Sequence, residues 1–260
     1  MTPTTVPSDP LEPVRAILVE LHLTTAARRL PELLARAESA HPAYSELLRD
    51  ILESEQAARH ERKFLRRIRW SKLGPFVSID DFDFAARPQL SPQVVKELLT
   101  GRFVEERRNL ICVGRPSTGK TSIAKAIGHA VCRRGFSVHY AQLGDLLQAL
   151  YASRGDHTYR KAFRRVSAPD LLILDDCGFD TSLGGEAANE LFRIVCARHR
   201  RRATIVVTNL PFKQWGEFLP SPAQAVAIVD RLIDQATILR FGGEPFRKPR
   251  EISGAPLEGE

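Results

Sequence analysis

Residues 112–123 read CVGRPSTGKTSI: two glycines, a lysine and a hydroxyl residue at fixed spacing, directly after an apolar run. Glycine lets the backbone bend and keeps side chains clear, so successive N–H groups can converge on an anion. Gly114, Gly119, Lys120 and Thr121 fill the G-x-x-x-x-G-K-[ST] phosphate-loop pattern in full. In that pattern loop amides surround the α- and β-phosphates, the lysine reaches the β- and γ-phosphates, and the hydroxyl ligates Mg²⁺. Pro116, Ser117, Thr118 and Ser122 complete the predicted binding loop.

Such a loop works only between a strand and a helix N-terminus. NLICV (109–113) reads as a short buried strand, and residues 120–135 as a helix with Ile123, Ile127, Ala130 and Val131 on one face. Further apolar runs at 137–142, 170–176, 203–209 and 237–241 alternate with helical stretches. Five such strands predict a parallel sheet sandwiched by helices.

The run LLILDD (171–176) would bring two carboxylates to the nucleotide. Asp175 is the predicted Mg²⁺ ligand with Thr121, and Asp176 the predicted group that polarises the attacking water. Asn209, ending the next strand, can hold that water through its amide, or can simply form a turn before Pro211. Thr208 is a second candidate for holding the water. Hydrolysis also needs positive charge at the γ-phosphate. Arg231, in AIVDRLID, can supply it, or can pair with Asp230 or Asp234 on the surface.

The chain has 260 residues, 43% of them hydrophobic, and a formal net charge of +7. That length accommodates a large and a small domain, and the charge points to an anionic partner, nucleic acid first. No apolar run is long enough to span a membrane and no signal peptide is evident, so a cytoplasmic location and no membrane partner are expected. The four cysteines form no C-x-x-C pair, which favours reduced thiols over disulfides or a metal site.

Residues 1–13, rich in Pro, Ser and Thr, are expected to be a disordered lead-in. Helical repeats follow at Val14, Ile17, Leu18 and Leu21, at Leu30, Leu33, Leu34 and Ala37, and at Leu47, Leu48, Ile51 and Leu52. They define a small helical N-terminal domain over 14–70 that contacts DNA or a partner. Residues 73–92, with their Gly, Pro and Asp, read as a linker or entry segment, the ATPase domain as 71–241, and 242–260 as a tail.

In chain order, the glycine loop, LILDD, VVTN and DRLID behind a helical unit resemble AAA+ ATPases of the initiator and helicase-loader group. More narrowly, IDDFDF, LLILDDCGF, TIVVTNLPFKQWGEFL and VDRLI resemble the IstB-type transposition helper ATPases, with DnaC-like loaders as relatives. The resemblance covers residues 14 to 247 or so. It implies a P-loop AAA+ fold, with ATP and Mg²⁺ as cofactors and an ATPase that self-associates on duplex DNA. It further implies aid to a cognate transposase, with Arg231 as a finger completing a neighbouring subunit's site. Two departures stand out: Asp176 where many relatives carry Glu, and only about 19 residues after Phe241, so no C-terminal lid is expected.

Two basic segments are the predicted DNA contacts. Arg59, Arg62, Lys63 and Arg66 recur at helical spacing, with Arg67, Arg69 and Trp70 following. Arg160, Lys161, Arg164 and Arg165 form the second. Neither suggests base-specific readout, so backbone contacts with little sequence preference are expected. A replicative helicase loader would share these features but favour single strands. A small-molecule kinase would need a lid and an acceptor site that the sequence does not offer.

Overall fold

The computed structural model describes residues 9–76, 78–178, 184–244 and 246. The expectations for residues 1–8 and 247–260, and for Phe179 in the quoted LLILDDCGF, lie outside them. The chain divides into two compact units, Met1–Arg66 and Arg67–Glu260.

The first unit is built from α1 (Glu12–Glu20), α2 (Thr24–Ala40) and α3 (Tyr44–Ser71), the division falling within α3. Order begins before Val14, because Pro13 suits a first helical turn and the Asp9 carboxylate accepts from the Leu11 N–H at 3.0 Å. Ala26, Leu30, Leu33 and Ile51 form its core, with Leu18, Leu34 and Leu47 against it. Val14, Ile17 and Leu21, on the predicted apolar stripe of α1, are exposed instead.

Glu55, on α3, organises this unit. Its carboxylate is 2% exposed and accepts from the N–H groups of Thr25 (2.6 Å) and Ala26 (3.1 Å), capping α2, which has no capping side chain of its own. Its other oxygen accepts from Arg59 (3.0 Å) and Arg62 (2.9 Å). Burial by itself would raise its pKa; the two amides and the two guanidinium groups outweigh that and bring it down to about 2.

The second unit carries α4 (Pro92–Leu99), α5 (Arg102–Glu105), α6 (Lys120–Arg134), α7 (Leu143–Gly155), α8 (Tyr159–Ser167), α9 (Gly185–Arg198), α10 (Trp215–Phe218) and α11 (Pro222–Ile233). Its sheet comprises β1 (Leu110–Gly114), β2 (Val138–Gln142), β3 (Leu171–Cys177), β4 (Ala203–Thr208) and β5 (Thr237–Phe241). All pairings are parallel, in the order β2-β3-β4-β1-β5. β4 is buried throughout and β3 almost so, as expected for strands covered on both faces. This is the predicted α/β sandwich.

Local contacts set the spacing of these layers. A Cβ at Gly128 would lie 2.8 Å from Ile173 and 2.9 Å from Leu73, so α6 sits close on the sheet. Arg198, 1% exposed, donates to the carbonyls of Val166, Ser167 and Pro169 and to the Thr204 hydroxyl, collecting the end of α8 onto β4. Its burial lowers its pKa to about 9. Asn109 accepts from the Thr204 N–H and donates to the carbonyls of Arg231 and Leu232, tying α11 to the N-terminal edge of the sheet.

Of the two readings of 73–92, the entry segment fits better than a free linker, because Leu73, Arg87 and Leu90 are buried. Nor is everything after β5 a loose tail, since the Phe246 N–H donates to the Ser117 carbonyl at 2.8 Å. Among the described residues no helix is long and apolar enough to cross a membrane.

Because Glu55 is depressed from 4.5 to about 2 in the folded chain, its contribution is complete above pH ~4.5 and is lost as pH falls toward 2. Glu55→Gln should therefore destabilise the N-terminal unit by about 1–2 kcal/mol near neutral pH, the worth of a helix cap. It should also flatten the acid limb of its unfolding. Circular dichroism melts from pH 7 to pH 2 measure both effects.

Candidate functional site

The C-terminal ends of β1, β3 and β4 open onto one cleft. Its lining runs through Pro116–Ser122 and includes Tyr140, Gln142, Asp175, Asp176, Asn209 and Phe246. All eight predicted loop residues lie on this segment or at the strand end that leads into it, but their reasons differ. A Cβ at Gly114 would sit 2.1 Å from the Phe241 carbonyl oxygen, so glycine is demanded there by the neighbouring strand β5. Gly119 holds φ +95°, and a Cβ there would meet the Phe82 ring at 2.7 Å. Thr118 turns its hydroxyl inward to the Arg115 carbonyl (2.8 Å), leaving its N–H as the group it can offer.

Lys120 is 6% exposed and donates to the Arg115 carbonyl at 2.6 Å. Burial lowers its pKa, opposed by the nearby Asp175. An ammonium so placed gains from an added anion, and polyphosphate is the anion the loop's amides suit.

Asp175, 1% exposed, is held on three sides. Oδ1 accepts from the Thr121 hydroxyl (3.2 Å) and the Asp176 N–H (2.9 Å); Oδ2 accepts from the Tyr140 hydroxyl (2.6 Å). The Thr121 and Asp175 oxygens thus converge at the mouth of the loop, a hard-donor pair that fits Mg²⁺. Tyr140 has its own pKa raised by burial and by this carboxylate, so it stays a donor.

Asp176 stands on an irregularity of β3, where the register with β4 shifts between Leu174 and Cys177. Its φ of +54° turns the carboxylate into the cleft, within 3.4 Å of the Gln142 amide. Burial and Asp175 raise its pKa, against Lys120, which suits a group that must take a proton. Asn209 also lines the cleft. Thr208 does not join it there, because its buried hydroxyl donates to the Cys177 carbonyl (2.6 Å) and accepts from the Leu210 N–H (3.0 Å).

Arg231 is absent from the lining of this cleft. It pairs with neither Asp230 nor Asp234; its guanidinium donates back to the Ala227 carbonyl (2.7 Å) and lies 5.4 Å from the Phe192 ring. Asp234 is taken by His199 and Arg200, both at 2.8 Å. The Arg231 carbonyl meets Asn109 at the start of β1, whereas the phosphate loop begins at its end. Five strand residues span roughly 16 Å, so the Arg231 backbone stands at the opposite end of β1 from the phosphate loop.

Of the predicted DNA contacts, Arg59 and Arg62 are paired with Glu55 while keeping part of their surface exposed. Lys63, Arg66 and Arg69 are exposed on α3, and Arg67 is half-buried. On α8, Arg160, Lys161, Arg164 and Arg165 lie at the surface, while Phe163 and Val166 pack into the core. Sequence reasoning missed Tyr140, Phe82, Arg87 and Phe246. Tyr140 could have been sought as the aromatic residue in the strand before LLILDD, and Phe82 lies within the quoted IDDFDF; Arg87 and Phe246 offered no signal.

A family profile described as "IstB-like ATP binding protein" matches residues 16–253. A protein of Geobacillus stearothermophilus, named for ATP binding in insertion sequence IS5376, is 31% identical over 87% of this chain and 90% of its own. An insertion sequence ATP-binding protein of Sinorhizobium fredii is 34% identical over 87% and 92%. Among solved structures, the DnaC helicase loader superposes with a TM-score of 0.50 at 20% identity, covering 67% of this chain and 99% of that one. This last likeness bears on the fold alone.

Removing the Tyr140 hydroxyl leaves one Asp175 oxygen unsatisfied and free to turn. Tyr140→Phe should raise the Mg²⁺ concentration for half-maximal nucleotide-dependent activity about 10- to 100-fold, the effect of one hydrogen bond to a metal-binding carboxylate. Thermal stability should change little. Mn²⁺ binding followed by electron paramagnetic resonance gives the same comparison without turnover; an unchanged metal dependence would make Tyr140 a packing residue only.

Proposed function

The chain belongs to the IstB-like ATP binding protein family, and from that premise we propose that it assembles through ATP into an oligomer on duplex DNA and assists a transposase there. It is a P-loop AAA+ ATPase of the insertion-sequence kind. The finer reading assigns roles within the cleft. Loop amides and Lys120 bind the triphosphate, Thr121 and Asp175 hold Mg²⁺, Asp176 accepts the proton of the attacking water, and Asn209 orients that water.

One observation carries the oligomer. Among the described residues the cleft supplies everything for hydrolysis except an arginine at the γ-phosphate, and Arg231 stands at the opposite edge of the sheet, tethered through its carbonyl to Asn109. A finger at that edge serves a neighbour's cleft. Stacking subunits in this way also repeats the exposed cations of α3 and α8 from copy to copy, which favours a long polyanion over a small acceptor. The relatives' names tie them to insertion sequences, so the partner is a transposase and the polyanion its target DNA.

Arg231→Ala should bind ATP normally and lose hydrolysis by about 10³-fold, the lower end of what a finger supplies. Lys120→Ala should fail to bind. Mixing the two should restore part of the activity, because an intact Lys120 cleft then meets an intact Arg231; mixed assemblies that form but stay inactive would make Arg231 structural.

DNA binding by the wild type should require ATP and prefer duplex. Reversing the charges of Lys63 and Arg66 should weaken binding to all sequences alike and flatten its salt dependence by roughly 0.9 per lost phosphate contact. Band-shift titrations at several salt concentrations measure this. A preference for single strands would move the function to helicase loading.

A further inference from the structure

The sheet order gives the nucleotide cleft two flanks. Asp175, Asp176 and Asn209 come from β3 and β4, on one side of β1; the segment that follows β5 lies on the other. A triphosphate with its γ end at the first flank, held across the loop, delivers its ribose and base toward the second.

That second flank is built, and around a buried charge. Arg87 is 1% exposed, and its guanidinium donates to the Thr118 carbonyl (3.0 Å), the Glu244 carbonyl (2.7 Å) and the Ala86 carbonyl (2.7 Å). It therefore joins the phosphate loop to the chain after β5. The same guanidinium lies 3.9 Å from the centroid of the Phe246 ring, and the Phe246 N–H is fixed on the Ser117 carbonyl. Phe82 packs T-shaped with the ring, centroids 5.9 Å apart and planes at 81°, and fills the space that a side chain at position 119 would need. Held by these contacts, Phe246 is nevertheless 47% exposed and lines the cleft. An aromatic ring with a guanidinium over it, packed at right angles to a second ring and tied through its own backbone, yet nearly half exposed and lining a nucleotide site, is a stacking platform.

We propose that Phe246 is the base-stacking residue of the nucleotide site, set in place by Arg87 and Phe82, and that the purine ring of ATP lies on it. The proposal rests on the ATP reading above and adds to it the residue that distinguishes a nucleotide from a bare polyphosphate. Stacking tolerates any base with a π face, so Phe246 contributes affinity for the nucleoside half without choosing between purines. Arg87 acts through Phe246 and is a positioning residue.

Calorimetric titration of the full chain with ATP and with inorganic tripolyphosphate, each with Mg²⁺, tests this. Phe246→Ala should weaken ATP by between about 5- and 150-fold, the range of one base–aromatic stack, and leave tripolyphosphate unchanged. Phe246→Tyr should keep both affinities. Phe246→Trp should show tryptophan fluorescence that ATP quenches and tripolyphosphate does not. Arg87→Met should reproduce the selective loss of ATP; if that variant fails to fold, the Phe246→Trp signal decides. Equal losses for the two ligands in Phe246→Ala, or equal fluorescence responses in Phe246→Trp, would overturn the base site while leaving the ATP reading intact. If neither ligand binds in a manner that Lys120→Ala abolishes, the ATP reading fails and the base site with it.

Discussion

Strand β1 lies between β4 and β5 so tightly that its last residue has no room for a side chain: a Cβ at Gly114 would fall 2.1 Å from the Phe241 carbonyl. That contact fixes where the phosphate loop leaves the sheet. The carboxylates of β3 and the amide after β4 then stand on one side of the loop, and the chain after β5 on the other. In a parallel sheet all strand C-termini share one edge, so a loop pinned at the middle of that edge is flanked by functional groups on both sides. The opposite edge, where Asn109 gathers β4 and α11, is left to carry Arg231.

Buried charge follows a consistent rule in both units. Glu55, Arg87 and Arg198 are each nearly inaccessible, and each is saturated by several backbone or side-chain partners. Each joins segments far apart in the sequence: Glu55 links α3 to α2, Arg87 links the stretch before β1 to the loop and the chain after β5, and Arg198 links α9 to α8 and β4. Removing a charge from water is costly unless its hydrogen-bonding capacity is met, so these residues specify one arrangement of their segments. The cleft departs from the rule. Burial pulls Lys120 and Asp176 toward their neutral forms, one lowered and the other raised. A polyphosphate beside the first and a proton to be taken by the second are what such poised groups accommodate.

Much of this was legible in the sequence. Apolar runs of strand length separated by amphipathic helices gave the sheet and its helical cover, because strands buried on both faces have no polar alternation to obscure them. The glycine loop and the Asp pair were legible for a different reason: phosphate and metal binding need particular atoms at short spacing along one segment. The basic stripes were legible as charge, but Arg59 and Arg62 could not be separated from Lys63 and Arg66, since the partner of the first two, Glu55, is an acidic residue like any other in the sequence.

The sequence by itself determined the elements, the loop that holds phosphate and the family to which these motifs belong, because those depend on local periodicity and near-neighbour spacing. Tertiary structure decided what depends on long-range approach. Thr208 was withdrawn from the cleft by a carbonyl 31 residues away, and Tyr140 was brought onto Asp175 by strand pairing. Arg231 was sent to the far edge of the sheet by its tie to Asn109. Phe246 was turned from tail into cleft wall by an arginine more than 150 positions earlier in the chain. None of these contacts can be read from the sequence, since each depends on where two distant backbones meet and not on which residues neighbour one another along the chain.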